Sequence, residues 1–353
     1  MRLSIIIPVY NVEEYINKCV LSLHQQDIPK EDYEIIIIND GSPDNSRQVV
    51  LQLMQQFANI VFIDQKNTGV SMARNAGIDK AKGKYLLFID PDDYVLPNCF
   101  NRILLTADTI TADIVFLGFT FLNEDNTERI KILYTEFTGK TYTGTDAYRL
   151  AIATQPIDPD RSVAILYNRD FINQNQIRYL ANVPYLEDGE FMARVLCLAE
   201  RCIFEGNSFY IRTTRPGSAT NSRMFYSDKA IAGFITAAES LKKFSRVRTI
   251  NNEQLNHLNQ PIAKFVLLAV QSCAGLNNWK KIFYIRKRVR SFGLNQLTIE
   301  TMFEPYISYA KIYNRSVFYF LLFYILKSAS KSISLKLGKL VNKEIKSNPL
   351  QAN

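Results

Sequence analysis

Lys84-Tyr85-Leu86-Leu87-Phe88-Ile89-Asp90-Pro91-Asp92-Asp93 joins a short apolar run to three carboxylates within four residues. Tyr85 to Ile89 has the length and the aromatic and branched content of a buried strand. Open α/β sheets deliver ligand-binding groups at the C-terminal ends of such strands. Pro91 stops the ladder and stiffens the turn. Carboxylates this close repel one another unless a cation joins them. Hard oxygen donors suit Mg²⁺ or Mn²⁺. A lone Asp-x-Asp is more often a solvated acidic turn, so the flanking sequence has to decide.

Working back to the start, Leu3 to Val9 is apolar apart from Ser4 and Pro8 and reads as a buried parallel strand. Asn11 with Glu14 suggests a capping box for the next helix, whose buried face is Tyr15, Cys19, Val20 and Leu23. Glu34 to Ile38 is a second strand, ending in Asn39-Asp40-Gly41-Ser42. Ser46 to Phe57 reads as a helix, Ile60 to Ile63 as a strand and Val70 to Lys82 as a helix. Ala73, Ala76 and Gly77 give that last helix a small-residue face for close packing. The order β-α-β-α-β-α-β predicts a doubly wound, mainly parallel sheet flanked by helices. Tyr10-Asn11, Asp40 and Asp90 to Asp92 then converge on one sheet edge. No G-x-G-x-x-G follows the first strand and no P-loop is present, which argues against a dinucleotide or P-loop site.

The chain has 353 residues, 47% of them apolar, and a formal charge of +8. That length allows one large domain and a second piece, and the charge favours anionic partners. Five cysteines without CxxC spacing and two histidines indicate neither zinc nor a disulfide framework. The N-terminus lacks a signal-peptide pattern, and no apolar run reaches the ~18 residues needed to span a bilayer. A cytoplasmic protein is expected. Nucleic-acid binding is disfavoured, because the basic excess lies mainly in the C-terminal region and no recognition motif appears.

Four segments taken together carry a resemblance. Ser4-Ile5-Ile6-Ile7-Pro8-Val9-Tyr10-Asn11, Ile38-Asn39-Asp40-Gly41-Ser42, Asn67-Thr68-Gly69-Val70-Ser71-Met72-Ala73-Arg74-Asn75-Ala76-Gly77 and Asp90-Pro91-Asp92-Asp93 resemble family 2 glycosyltransferases of GT-A fold. The likeness covers roughly the first 220 residues. It implies an inverting, metal-dependent enzyme that uses a nucleotide sugar, most often a UDP-sugar. By this resemblance Pro8, Tyr10 and Asp40 hold base and ribose, and Asn67 and Arg74 contact the nucleotide. Asp90 sits near the ribose, and Asp92 coordinates Mg²⁺ or Mn²⁺ on the diphosphate. Taken singly, Asp40 is a turn residue, Asn67 a cap and Arg74 a solvated helix residue.

Farther on, Ile110 to Leu122 alternates as a strand, and Asn123 to Thr138 is a polar insertion or hairpin. Tyr185-Leu186-Glu187-Asp188-Gly189-Glu190-Phe191 precedes a helical face of Phe191, Val195, Leu198 and Ala199. Asp is a favoured N-cap residue, so capping alone would explain Asp188. The resemblance instead makes Asp188 the base that activates the acceptor and Glu187 a sugar-binding neighbour. It also places Arg215 and Ser218 on a loop over the donor; the alternative there is a basic surface loop.

From Ser227 the pattern turns helical, with Ile231, Phe234, Ile235, Ala238 and Leu241 on one face and a second helix over Pro261 to Leu276. Domains are therefore expected at 1–222, catalytic, and 223–353, helical. Arg286-Lys287-Arg288 and Arg290 form a basic cluster, and Val317 to Leu326 is the most hydrophobic run, followed by Lys327, Lys331, Lys336, Lys339, Lys343 and Lys346. This pattern fits either an interfacial segment on an anionic membrane or a bundle packed on the catalytic domain or a second subunit.

The sequence thus reads as a glycosyltransferase acting on a saccharide or lipid-linked saccharide acceptor in cell-surface polysaccharide or glycoconjugate synthesis. Two competitors remain. One is a non-catalytic sugar-nucleotide-binding subunit of a membrane assembly. The other is a nucleotidyltransferase, which would release pyrophosphate from a nucleoside triphosphate.

Overall fold

The computed structural model describes residues 1–154, 160–214, 227–273, 279–299, 302 and 304–327. Strands β1 (Leu3–Val9), β2 (Tyr33–Asp40), β3 (Ile60–Gln65) and β4 (Tyr85–Phe88) alternate with helices α1 (Ile16–Leu23), α2 (Ser46–Gln56) and α3 (Val70–Lys80). There follow β5 (Tyr94–Val95), α4 (Phe100–Asp108), β6 (Ile114–Leu122), β7 (Glu128–Ile132) and α5 (Gly144–Thr154). Next come β8 (Ile165–Asn168), α6 (Arg169–Gln174), α7 (Glu187–Leu198) and β9 (Cys202–Arg212).

These strands form a single sheet in the order β3-β2-β1-β4-β8-β6-β9-β5, with β7 paired to β6. β3, β2, β1 and β4 are mutually parallel. β8 runs against both β4 and β6, so β6 and its parallel partner β9 point the same way as β1. The mainly parallel sheet expected from the alternation is therefore present, with β5, β7 and β8 reversed. β1 and β2 are buried along their whole length, which is why they read as continuous apolar runs. The register sets Val9 beside Asn39, Asn39 beside Asp64 and Asp40 beside Gln65, so the polar ends of these strands lie on one edge.

α3 packs unusually close to this sheet. A Cβ on Gly77 would lie 2.4 Å from Ile6 Cγ2 and 3.1 Å from Ile38 Cδ1. Ala73 is fully buried beside it, while Ala76 is half-buried at the margin of the small-residue face.

Four local expectations need correction. Asn11 does not cap α1: it adopts φ 55°, and the N-cap is Tyr15 without a side-chain bond. The preceding turn is held instead by the 42–46 loop, with Val12 N donating to Ser46 Oγ at 3.0 Å and Glu13 N to Asp44 Oδ2 at 2.9 Å. β6 starts at Ile114, because Thr111 sits at φ 49° in the turn after α4. Asp188 is not an N-cap, because Leu186 takes that place in the left-handed region at φ 56°. The helix expected from Pro261 begins at Asn252 and carries Pro261 inside it. Burial of Leu258, Pro261 and Ile262 against the neighbouring helices offsets the backbone hydrogen bond that proline removes.

After β9, α8 (Asp228–Val247), α9 (Asn252–Cys273), α10 (Trp279–Ser291), α11 (Tyr306–Arg315) and a further helix at 317–327 form a layer with its own apolar cluster. Val183, Ala193 and Cys197 join this cluster, so α7 serves both cores.

Candidate active site

β4 ends at Phe88, and the turn that follows is fixed from the far side of the sheet. Tyr210 on β9 donates to Asp93 Oδ2 at 2.8 Å and accepts from Asp90 N at 3.0 Å. Thr213 N donates to Asp93 Oδ1 at 2.7 Å, and Thr213 Oγ1 donates to the main-chain oxygen of Asp92 at 2.7 Å. Asp93 is therefore a buried structural carboxylate that holds the turn, while Asp92 is half-buried on it.

Burial, then Asp90 and Asp92, push the Asp93 carboxyl well above its usual range. Cys19 beneath the turn is pushed up by burial and then by Asp93, Asp92 and Asp90. Excess negative charge gathered at an oxygen-lined turn fits a hard divalent cation. Among the described residues no group of three or more His, Cys, Asp or Glu side chains could hold a metal ion by itself. A cation here needs oxygens from a ligand to complete its shell.

Arg74, buried on α3, gathers the remaining carboxylates. Its Nη2 donates to Asp90 Oδ1 at 3.1 Å, and its Nη1 to Glu187 Oε1 and Asp188 Oδ1, both at 2.9 Å. The guanidinium also lies over the Tyr179 ring, 5.2 Å from its centroid. One buried cation thus ties the end of β4 to the first turn of α7. These contacts make Arg74 a strut between the two acidic motifs. Burial and the neighbouring Asp188 push the Glu187 carboxyl up to about 7, with Arg74 opposing them.

Across the edge, Asp40 is committed to the 65–69 loop. Its Oδ1 accepts from Thr68 N at 2.9 Å and Gln65 Nε2 at 2.8 Å, and its Oδ2 from Gly69 N at 2.8 Å. Gly41 adopts φ +69°, and a Cβ there would come within 2.8 Å of Asn67 N. Pro8 is buried in β1 opposite Ile38. Tyr10 stands 49% exposed just beyond β1, and Asn67 is exposed on its loop. Arg215 and Ser218 lie outside the described residues.

Comparison with known proteins matches the glycosyl transferase family 2 model to residues 4–172. These residues belong to glycosyl transferase family 2. The chain is similar to the glycosyltransferase EpsJ of Bacillus subtilis, 31% identical over 229 residues, covering 62% of each protein. It is also similar to the glycosyltransferase GlyA of Streptococcus pneumoniae, 29% identical, covering 62% of this chain and 31% of GlyA. It therefore spans less than two thirds of either relative. The fold is that of S. aureus TarS 1-349, crystallised with UDP-GlcNAc, at TM-score 0.67 and 17% identity over 94% of this chain and 92% of that one. The sheet is accordingly a GT-A sheet.

The candidate site includes groups that the sequence alone left unassigned. Ser162 donates to Asp188 Oδ1 at 2.7 Å. Two residues before it, Asp160 accepts from Tyr148 OH at 2.5 Å and forms an ion pair with Lys264 of α9. Asp160 also packs on the start of α7, where a Cβ on Gly189 would lie 3.6 Å from both Asp160 Cβ and Phe265 Cζ. Ser162 sits in a loop without periodicity, so only the folded contact discloses it. Tyr210 and Thr213 were within reach, since they lie on β9 and just after it, in the stretch that leads into the Arg215 segment.

Proposed function

We propose that this protein is an inverting glycosyltransferase. It moves a sugar from a nucleotide donor, a UDP-sugar, to an acceptor hydroxyl in cell-surface polysaccharide or glycoconjugate synthesis. The observation that carries the reading is Arg74, which gathers Asp90, Glu187 and Asp188 at the edge where β1, β2 and β4 end. Residues 1–222 act as the donor-binding and catalytic unit and residues 223–353 as a helical layer.

Tyr10 supplies an exposed aromatic face for the base, beside Pro8. Asp40 and Asn67 shape the nucleotide cleft, Asp40 by fastening the loop that carries Asn67. Asp90 lies on the ribose side, with Arg215 and Ser218 closing over the donor. Asp92 would hold Mg²⁺ or Mn²⁺, which supplies charge stabilisation for the departing diphosphate. Asp188 accepts the proton of the acceptor hydroxyl, held in place by Ser162 and Arg74. Glu187 hydrogen-bonds the incoming sugar. Inversion needs one base on the attacking side and no protein nucleophile. Support for the UDP-sugar comes from the fold shared with TarS, a protein crystallised with UDP-GlcNAc. The five free, buried cysteines support work in the reducing cytoplasm.

The test is a panel of nucleotide sugars, reading released nucleoside diphosphate with and without Mn²⁺. One donor should be turned over, and Asp92→Asn should lose most of the metal-dependent rate. Release of pyrophosphate from a nucleoside triphosphate would point to nucleotidyl transfer. Donor binding without any turnover would point to a non-catalytic subunit.

A further inference from the structure

Helix 317–327 and α10 together build a surface that the proposed chemistry does not use. One face of the helix is spent on packing: Phe320 and Leu321 are buried in the helical cluster with Ala310 and Tyr313. The opposite face is open, with Tyr319 64%, Leu322 54%, Ile325 46% and Leu326 61% exposed. Tyr319, Leu322 and Leu326 repeat at i, i+3 and i+7, so they form one stripe. Beside it, α10 exposes Phe283 at 57% and Tyr284 at 52%. The helices meet where the Phe283 and Phe318 rings lie 6.3 Å apart and Arg286 sits 5.6 Å from the Phe318 ring centroid.

The basic cluster lies on this same face. Arg286, Lys287 and Arg290 are exposed and, with Phe283 and Ser291, line a shallow depression of about 440 Å³. Arg288 turns inward and pairs with Glu239, so it belongs to the bundle rather than the surface. No helix among the described residues is long and apolar enough to cross a membrane. An exposed apolar stripe is unusual on a surface that meets only water. A stripe flanked by exposed cations matches a lipid interface, where side chains enter the acyl boundary and cations sit among phosphates.

The geometry points to a docking surface for an anionic phospholipid bilayer, formed by the Tyr319-Leu322-Ile325-Leu326 stripe and the Arg286-Lys287-Arg290 ridge. Charge complementarity selects that occupant over a second copy of the chain, whose own ridge would repel this one. The surface lies apart from the sheet edge, so the inference stands whether or not the chemistry proposed above is right.

The full chain is tested by co-sedimentation with vesicles of phosphatidylcholine alone and with added phosphatidylglycerol, at low and high salt. Binding should require the anionic lipid and weaken as salt screens the charges. Arg286→Glu with Lys287→Glu and Arg290→Glu should weaken it by about 10² or more, at roughly fivefold for each cation lost. Leu322→Glu with Leu326→Glu should weaken it about tenfold or more, with circular dichroism and thermal unfolding near wild type because both positions are exposed. Unchanged vesicle binding in both folded variants overturns the assignment. So does a concentration-dependent dimer, seen by light scattering, that the leucine variant abolishes while vesicle binding persists.

Discussion

At the sheet edge, carboxylates are held by the main chain of distant loops: Asp40 by Thr68 and Gly69, Asp93 by Thr213. In the helical layer, most contact is between side chains, apolar surface joined by isolated ion pairs such as Arg288 with Glu239 and Lys264 with Asp160. The first arrangement fixes atoms within a narrow tolerance, which a binding and reacting site requires. The second fixes only the approach of helices, and it tolerates exchange of one apolar side chain for another. The two regions meet at α7, whose first turn carries Glu187 and Asp188 and whose inner face joins the helical cluster. The difference teaches that, on the proposed reading, the chemistry falls to the edge while its alignment depends on the layer behind it.

The largest expected effect tests the first half of that statement. With Leu186 in the N-cap place, Asp188→Asn removes a proton acceptor and leaves the cap untouched. Transfer should fall by about 10²–10⁴ with donor binding near normal, and part of the stability should go with it, because buried Arg74 keeps only Asp90 and Glu187 as charged partners. Full transfer in this variant would move the base elsewhere, with Glu187 as the next candidate.

Next in size is the link between regions. Lys264→Met leaves Asp160 buried without its cation, which costs about 3–5 kcal/mol for a buried pair broken on one side. If segment 160–162 aligns Asp188, transfer should fall about tenfold to a hundredfold. The loss should lie in kcat rather than in donor KM, and Lys264→Arg should restore it. Ser162→Ala should reproduce the kinetic loss with little of the destabilisation. Normal kcat in Ser162→Ala would break the link and leave the helical layer as packing alone.

Much of the sheet edge could be read without a structure because its signals are local. An apolar run that stops at polar residues marks a strand end, and Asp-Gly and Asp-Pro mark its turns. The parallel order then places those ends together. What could not be read is who holds whom. Arg74 looks like a solvated helix residue until α7 folds over it, and Ser162 has no pattern at all. Pro261 gave a false helix start, since burial around it outweighs the missing donor. The helical layer was legible only as periodicity, which predicts the buried face of α8 but not its partners.

A smaller effect concerns Glu187, whose carboxyl is pushed up to about 7 from an ordinary 4.5. A carboxyl raised on folding costs nothing below the unfolded value, where it is protonated in both states. Between about 4.5 and about 7 the folded state binds more protons, so stability from this group falls as pH rises and is level beyond. Glu187→Gln should remove that slope. Unfolding followed by denaturant titration across this window should show wild type losing stability relative to the variant as pH rises. Parallel curves would mean that Arg74 compensates the buried charge fully.

The smallest effect probes the tolerance of the edge itself. Gly77 keeps α3 close enough to β1 for Arg74 to reach Asp90 and Asp188. A methyl there would meet Ile6 Cγ2 at 2.4 Å, below any ordinary contact, so α3 or the Ile6 side chain must shift. Overpacking of this kind costs about 1–3 kcal/mol, partly offset by alanine's better helix propensity. Gly77→Ala should therefore unfold at slightly lower denaturant concentration. Its transfer rate should fall more than its stability does, because a shift of α3 carries Arg74 away from both acidic motifs at once. In the helical layer the matching change is Gly233→Ala, where the nearest obstacle is Pro184 Cδ at 2.8 Å, a ring atom fixed to its own main-chain nitrogen, so the 182–184 loop rather than α3 has to shift. If Gly233→Ala harms transfer as much as Gly77→Ala, the two regions do not differ in tolerance in the way their contacts indicate.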